Sequence, residues 1–176
     1  MTGALRLAQM DRGGLAFFDR SVAGFWRSFY AAALVLPIYI LTLLLIDRMP
    51  TDVGAWALEG IAYAVSWLAF PCLMLTLVEL MDRKARYFDY MVPYIWASVP
   101  QNGLLMLVAV INATGVIPPE IGKLLGLSAF FSILAYKWYI AQIGLEISGR
   151  AALGLVVVDV SLDVMIQLMM ELSLPG

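Results

Sequence analysis

Residues 124–172 read LLGLSAFFSILAYKWYIAQIGLE-ISGR-AALGLVVVDVSLDVMIQLMMEL. Two apolar runs, Leu124–Glu146 and Ala151–Leu172, flank a short turn built on Ser148-Gly149-Arg150. Each run is about as long as the ~20 residues a helix needs to cross a hydrocarbon core of ~30 Å. Neither alternates apolar with polar residues, as a barrel strand would. Within lipid every backbone amide must be bonded inside its own segment, which selects helix. A turn this short folds the two helices into an antiparallel hairpin.

Upstream lie three more such runs, Phe29–Ile46, Ala55–Leu80 and Tyr90–Ile111. The breaks between them carry helix-ending residues: Pro50 after Asp47 and Arg48, the charged stretch 81–86, and Pro118-Pro119 after Gly115. Of 176 residues, 62% are hydrophobic and 14% charged, and the mean hydropathy is +0.88. Soluble domains sit near ~45–50% and ~25%, so water is not the solvent of this fold. The expected class is an all-α polytopic membrane protein of five transmembrane helices preceded by a short interfacial amphipathic helix. Its organisation is a cytoplasmic N-terminal segment (1–28), a five-helix domain (29–172) and a short C-terminal tail (173–176).

The amphipathic stretch is residues 15–29, where Leu15, Phe18, Val22, Phe25, Trp26 and Phe29 share one helical face. Alternatively, Trp26 and Arg27 simply anchor the first span. No small-residue cleavage site follows that span, which is expected to be a retained anchor. Arg6, Arg12, Arg20, Arg27, Arg83, Lys84, Arg86 and Arg150 fall on the side of the N-terminus, against Arg48 and Lys123 opposite. By the positive-inside rule the N-terminus is cytoplasmic and Leu174-Pro175-Gly176 lies across the membrane. The bacterial inner membrane is the expected location.

Function classes fall away on composition. Eleven Lys+Arg against thirteen Asp+Glu leave no basic excess for nucleic acid. With no His and one Cys there is no zinc cluster, imidazole base, His-ligated haem or internal disulfide, so neither metal, cofactor nor catalytic residues are expected. Cys72, beside Pro71, reads as buried packing.

Ionisable groups inside spans are costly and need partners. Lys137 stands eleven residues before Ser148 and Asp159 eleven after it, so both lie ~16 Å from the turn, with Asp163 one helical turn beyond. The expected contact is an interhelical ion pair that fixes the hairpin register; with two carboxylates to one ammonium, one Asp is expected either to be protonated or to have a further donor in Tyr136, Tyr139 or Gln167. The competing reading is a proton or ion relay. In the third span Pro100, Gln101 and Asn102 form a second polar cluster. The amides are expected to satisfy carbonyls freed by Pro93 and Pro100, and to line a small cavity. Arg20, Arg27, Arg83, Lys84 and Arg86 read as head-group and topology residues, with Glu79 pairing Arg83 at i,i+4. Glu59 is expected to reach the interface. Gly60/Ala64 and Ser128/Ser132 have the small-residue spacing of close helix approach.

The segments FDYMVPYIWASVP (88–100) and YKWYIAQIGLEISGRAAL (136–153) resemble the Yip1 family of five-span membrane domains, over about residues 55–172. The match is to an aromatic-rich third span with a later Pro, and to an aromatic helix, a Gly, a polar turn, then a basic residue and Ala. The resemblance implies a compact bacterial type with a cytoplasmic N-terminus, and brings no catalytic residues. The Asp-Leu-Tyr-Gly-Pro type motif of eukaryotic members is absent.

The function expected is therefore non-enzymatic: a scaffold, assembly factor or accessory subunit of a membrane complex. Trp26, Trp56, Trp67, Trp96, Trp138 and ten Met supply adaptable lateral contacts to lipid, to a membrane-protein partner or to another copy of the chain. The alternative is a small transporter or channel using Lys137, Asp159 and Asp163. A lipid-active enzyme would have to use the charged cluster at 82–89, which reads more simply as a topology signal.

Overall fold

The computed structural model describes residues 2–173. Those residues hold seven α-helices and no strand: α1 (Thr2–Ala8), α2 (Val22–Ser28), α3 (Tyr30–Leu45), α4 (Val53–Leu80), α5 (Tyr87–Ala113), α6 (Pro119–Leu145) and α7 (Gly149–Ser173). Short 3-10 turns occupy Arg12–Phe17 and Lys84–Arg86. Ser173 thus closes a helix, and residues 174–176 of the expected tail lie outside the described residues. Five stretches are long and apolar enough to cross a membrane: Val22–Leu45, Val53–Leu80, Lys84–Ala113, Pro119–Leu145 and Gly149–Met170. Large apolar side chains such as Leu41, Leu68, Leu105, Phe131 and Leu168 point outward, as a lipid-facing surface requires.

Helix ends follow local chemistry. Asp52 accepts from Ala55 N (2.9 Å) and Ser21 from Gly24 N (3.0 Å), capping α4 and α2. α3, α4 and α6 end on left-handed residues that are not glycine, namely Asp47, Asp82 and Glu146. The next amide returns to a carbonyl five residues back, as in Arg83 N to Val78 O (2.7 Å). This reversal at Asp82 removes Arg83 from the face of Glu79, so the expected i,i+4 pair is not made. Lys84 takes its place, 3.1 Å from Glu79.

α5 is the hub, packed on α3 and α6 and touched by α1, α2 and α4, while α7 lies between α6 and α4. α3 and α4 are tied by tyrosines: Tyr63 Oη donates to Ala32 O (2.7 Å) and Tyr39 Oη to the Glu59 carboxylate. Glu59 is therefore held by a neighbouring helix instead of simply reaching for the interface.

Tight packing comes from glycines other than those expected. A Cβ on Gly144 would lie 2.9 Å from Tyr90 Cα and 3.0 Å from Asp89 O, so α6 meets the backbone of α5 directly. Nothing approaches Gly60 within 4 Å, and the Ser128 and Ser132 hydroxyls bond carbonyls of their own helix. Cys72 is exposed on α4, contrary to its expected burial.

The chain ahead of the first span is helical and amphipathic, but residues 15–29 are not one continuous helix. Asp11 accepts from Gly13 N (2.8 Å) to start the 3-10 turn, and the Ser21 cap starts α2 afresh. The apolar face divides accordingly. Leu15, Phe18 and Phe25 pack against the core, while Val22 and Trp26 are exposed. α1 reaches further in: Leu7 is fully buried, Tyr136 Oη donates to Ala4 O (2.6 Å) and Tyr139 Oη to Met10 O (2.6 Å). The core, including Tyr90, Met91, Ile140, Leu145 and Leu155, thus fills the half of the bundle nearest the N-terminus.

Candidate functional site: an ion cluster beside an intramembrane cavity

The short turn sets the hairpin register. Ser148 Oγ accepts from Ala151 N (3.3 Å), and Trp138 Nε1 donates to Gly149 O (2.9 Å) across the turn. Lys137 Nζ then falls 2.8 Å from Asp159 Oδ2 and 3.7 Å from Asp163 Oδ2. The Asp159 contact is a charge pair, not an aligned hydrogen bond, because no donor is directed along Oδ2. Asp159 is 1% exposed and its other oxygen accepts from Tyr94 Oη (2.6 Å). The ammonium also lies 5.7 Å from the centroid of the Tyr94 ring.

Tyr94 is the residue that sequence reasoning missed. Of the three donors expected, Tyr136 and Tyr139 are engaged by the N-terminal segment, and Gln167 lines the adjoining cavity. The sequence carries one signal, depth, which sets Tyr94 level with Lys137 without placing it alongside. Tyr94 lies seven residues into α5, and Lys137 lies eight residues from the end of α6, so both sit ~11 Å from the same end.

Beyond the ion pair the bundle is hollow. A cavity of about 260 Å³ is lined by side chains from all five spans, including Tyr39, Tyr63, Trp67, Gln101, Asn102, Lys137, Asp163 and Gln167. Gln101 and Asn102 take the wall position expected of them. Pro100 does not: Ser98 lines the wall with them, and Pro100, two residues on, turns to another side of the helix. α5 continues unbroken through both prolines. The freed carbonyl at Pro100 is that of Trp96, yet Asn102 Nδ2 donates to Ser98 O (2.8 Å), and Gln101 Nε2 is buried with no partner. The amides therefore do not repair the proline break. A side-chain amide one turn on reaches the carbonyl at i−4, which for Asn102 is Ser98.

The basic residues at the N-terminal end form a separate network. Arg20 (3.3 Å) and Arg86 (3.0 Å) converge on Asp89, and Arg86 also reaches Glu146 (2.7 Å), joining the N-terminal segment, α5 and the α6–α7 turn. Arg27 faces Asp19 (3.9 Å) and Lys84 faces Glu79. Arg83 stands exposed at the start of a 3-10 turn. Hydrogen bonds from Ser21 hold the Asp19 carboxyl below the usual carboxylate range, with help from the Arg27 charge. Among the described residues no group of three or more His, Cys, Asp or Glu could hold a metal ion.

Comparison with protein-family models, curated proteins and solved structures returns no match.

Proposed function

We propose that this chain is a non-enzymatic integral membrane protein acting as a scaffold, assembly factor or accessory subunit of a membrane complex. It would reside in a bacterial inner membrane with its N-terminus in the cytoplasm and its C-terminus across the bilayer. The observation that carries the reading is the state of the intramembrane charges. Lys137 and Asp159 are closed on each other, braced by Tyr94, and backed on the N-terminal side by packed apolar side chains. A relay needs groups free to exchange protons along a polar route. A braced pair set against a packed core serves register instead. Kinship with the Yip1 family, suggested by residues 88–100 and 136–153, accords with the same topology.

A second reading, a small transporter, is favoured by one feature: Asp163 is half exposed on the cavity wall, where it could exchange with water. Purification from the native membrane in mild detergent decides between them. A stoichiometric membrane-protein partner, with no proton or ion flux from the chain reconstituted alone, is expected. Flux above that of empty vesicles, without a partner, would overturn the proposal.

A further inference from the structure

The cavity is electrically and chemically incomplete. Among the described residues two carboxylates, Asp159 and Asp163, face one ammonium, Lys137, so with both ionised the cluster lacks one positive charge. Asp159 takes the closer share of Lys137, which leaves Asp163 on the wall with a contact of 3.7 Å and 46% of its side chain exposed. An unneutralised carboxylate at this depth is costly, so a cation in the cavity would be attracted strongly.

Part of the cavity wall is aromatic. Tyr39 and Tyr63 have ring centroids 5.2 Å apart, and Tyr63 and Trp67 6.0 Å apart, so three tilted rings adjoin from α3 to α4. Such rings attract organic cations. A bare metal ion would instead require a close shell of oxygens. Gln101 supplies the third element. Its residue is 8% exposed, it lines the same cavity, and its Nε2 donor has no partner. A buried donor of this kind calls for an acceptor atom.

The cavity, at about 260 Å³, holds the equivalent of several waters at ~30 Å³ each, enough for a small organic molecule. We infer that it binds a small organic ammonium carrying an oxygen acceptor, of the amino-alcohol class, either free or as the head group of a phospholipid. The ammonium lies between Asp163 and the aromatic wall, and the oxygen accepts from Gln101. The Lys137–Asp159 pair stays closed and shapes the floor of the site. This site is independent of any partner subunit, so its failure would leave the co-purification result untouched.

The test uses the full chain in neutral detergent, with radiolabelled ethanolamine in equilibrium dialysis. One saturable site is expected, weakened about tenfold or more by Asp163→Asn and several-fold by Gln101→Leu, as expected when one partner of a desolvated polar contact is removed. Leu105→Ala, on the outer surface, leaves it unchanged. Should Asp163→Asn fail to fold, Trp67→Leu provides the second variant, with several-fold weakening expected. In parallel, thermal stability is compared in nanodiscs of phosphatidylethanolamine and of phosphatidylglycerol. Binding of free ethanolamine identifies a soluble amine. Stabilisation by the ethanolamine lipid without binding of free ethanolamine identifies a head group. Absence of both overturns the inference, as does equal protection by equimolar sodium chloride or unchanged binding in a folded Asp163→Asn or Trp67→Leu protein.

Discussion

Tyr94 on α5 donates a 2.6 Å hydrogen bond to Asp159 on α7, across 65 positions of sequence and between two helices that are not neighbours in the chain. This bond ties the hub helix to the ion pair. Tyr94→Phe leaves a buried carboxylate oxygen without its donor. The expected loss is about 1–2 kcal/mol, at the upper end for interhelical hydrogen bonds in membranes. Unfolding of the purified protein in mixed detergent micelles measures it; an unchanged midpoint would show that the bond contributes nothing.

Lys137→Met removes the only ammonium beside Asp159 among the described residues, and Asp159 is itself 1% exposed. Breaking a buried pair from one side costs about 3–5 kcal/mol, so yield in the membrane is expected to fall sharply. The double variant Lys137→Met/Asp159→Leu removes both charges and is expected to recover most of the loss. A single variant that folds as well as the parent, with any partner complex inactive, would instead favour the relay.

Gly144 and Gly60 make opposite predictions for the same change. Gly144→Ala places a methyl 2.9 Å from Tyr90 Cα, where only backbone can give way, and about 1–3 kcal/mol of destabilisation is expected. Gly60→Ala meets nothing within 4 Å on an α4 helix and is expected to stabilise by up to about 1 kcal/mol. The two unfolding midpoints, compared side by side, check both.

Asp19 gives the N-terminal segment a pH dependence. Its folded-state pKa is lowered by Ser21 and Arg27, so its contribution is complete above the unfolded carboxylate pKa. That contribution is lost as pH falls through the lower, folded value. The protection of α2 amides, measured relative to their intrinsic exchange rates at each pH, is therefore expected to fall at acid pH. Ser21→Ala, which removes the hydroxyl bonded to the Asp19 carboxylate, is expected to flatten that acid response.

The spans and the hairpin pair were legible in one dimension. Apolar run length against bilayer thickness locates α4 at 53–80, where 55–80 was expected, and the same reasoning brings the other spans close to their observed ends. Lys137 meets Asp159 because the turn at 146–148 leaves two antiparallel helices only one register. The N-terminal segment was less legible: its apolar face is visible, but not its division at Asp11 and Ser21 or the burial of Leu7.

Composition and spacing determined that this chain is helical, that it has five membrane-length helices, and that the last two carry facing charges. Those properties depend on length and on contacts between consecutive elements. Lateral order was decided only by tertiary structure: α5 at the hub, Tyr94 as donor, Gly144 at the closest crossing, and a cavity touched by every span. The physical reason is that helices in oil are apolar all round. A face that packs and a face that meets lipid use the same residues, so hydropathy carries no record of which neighbour each face will find.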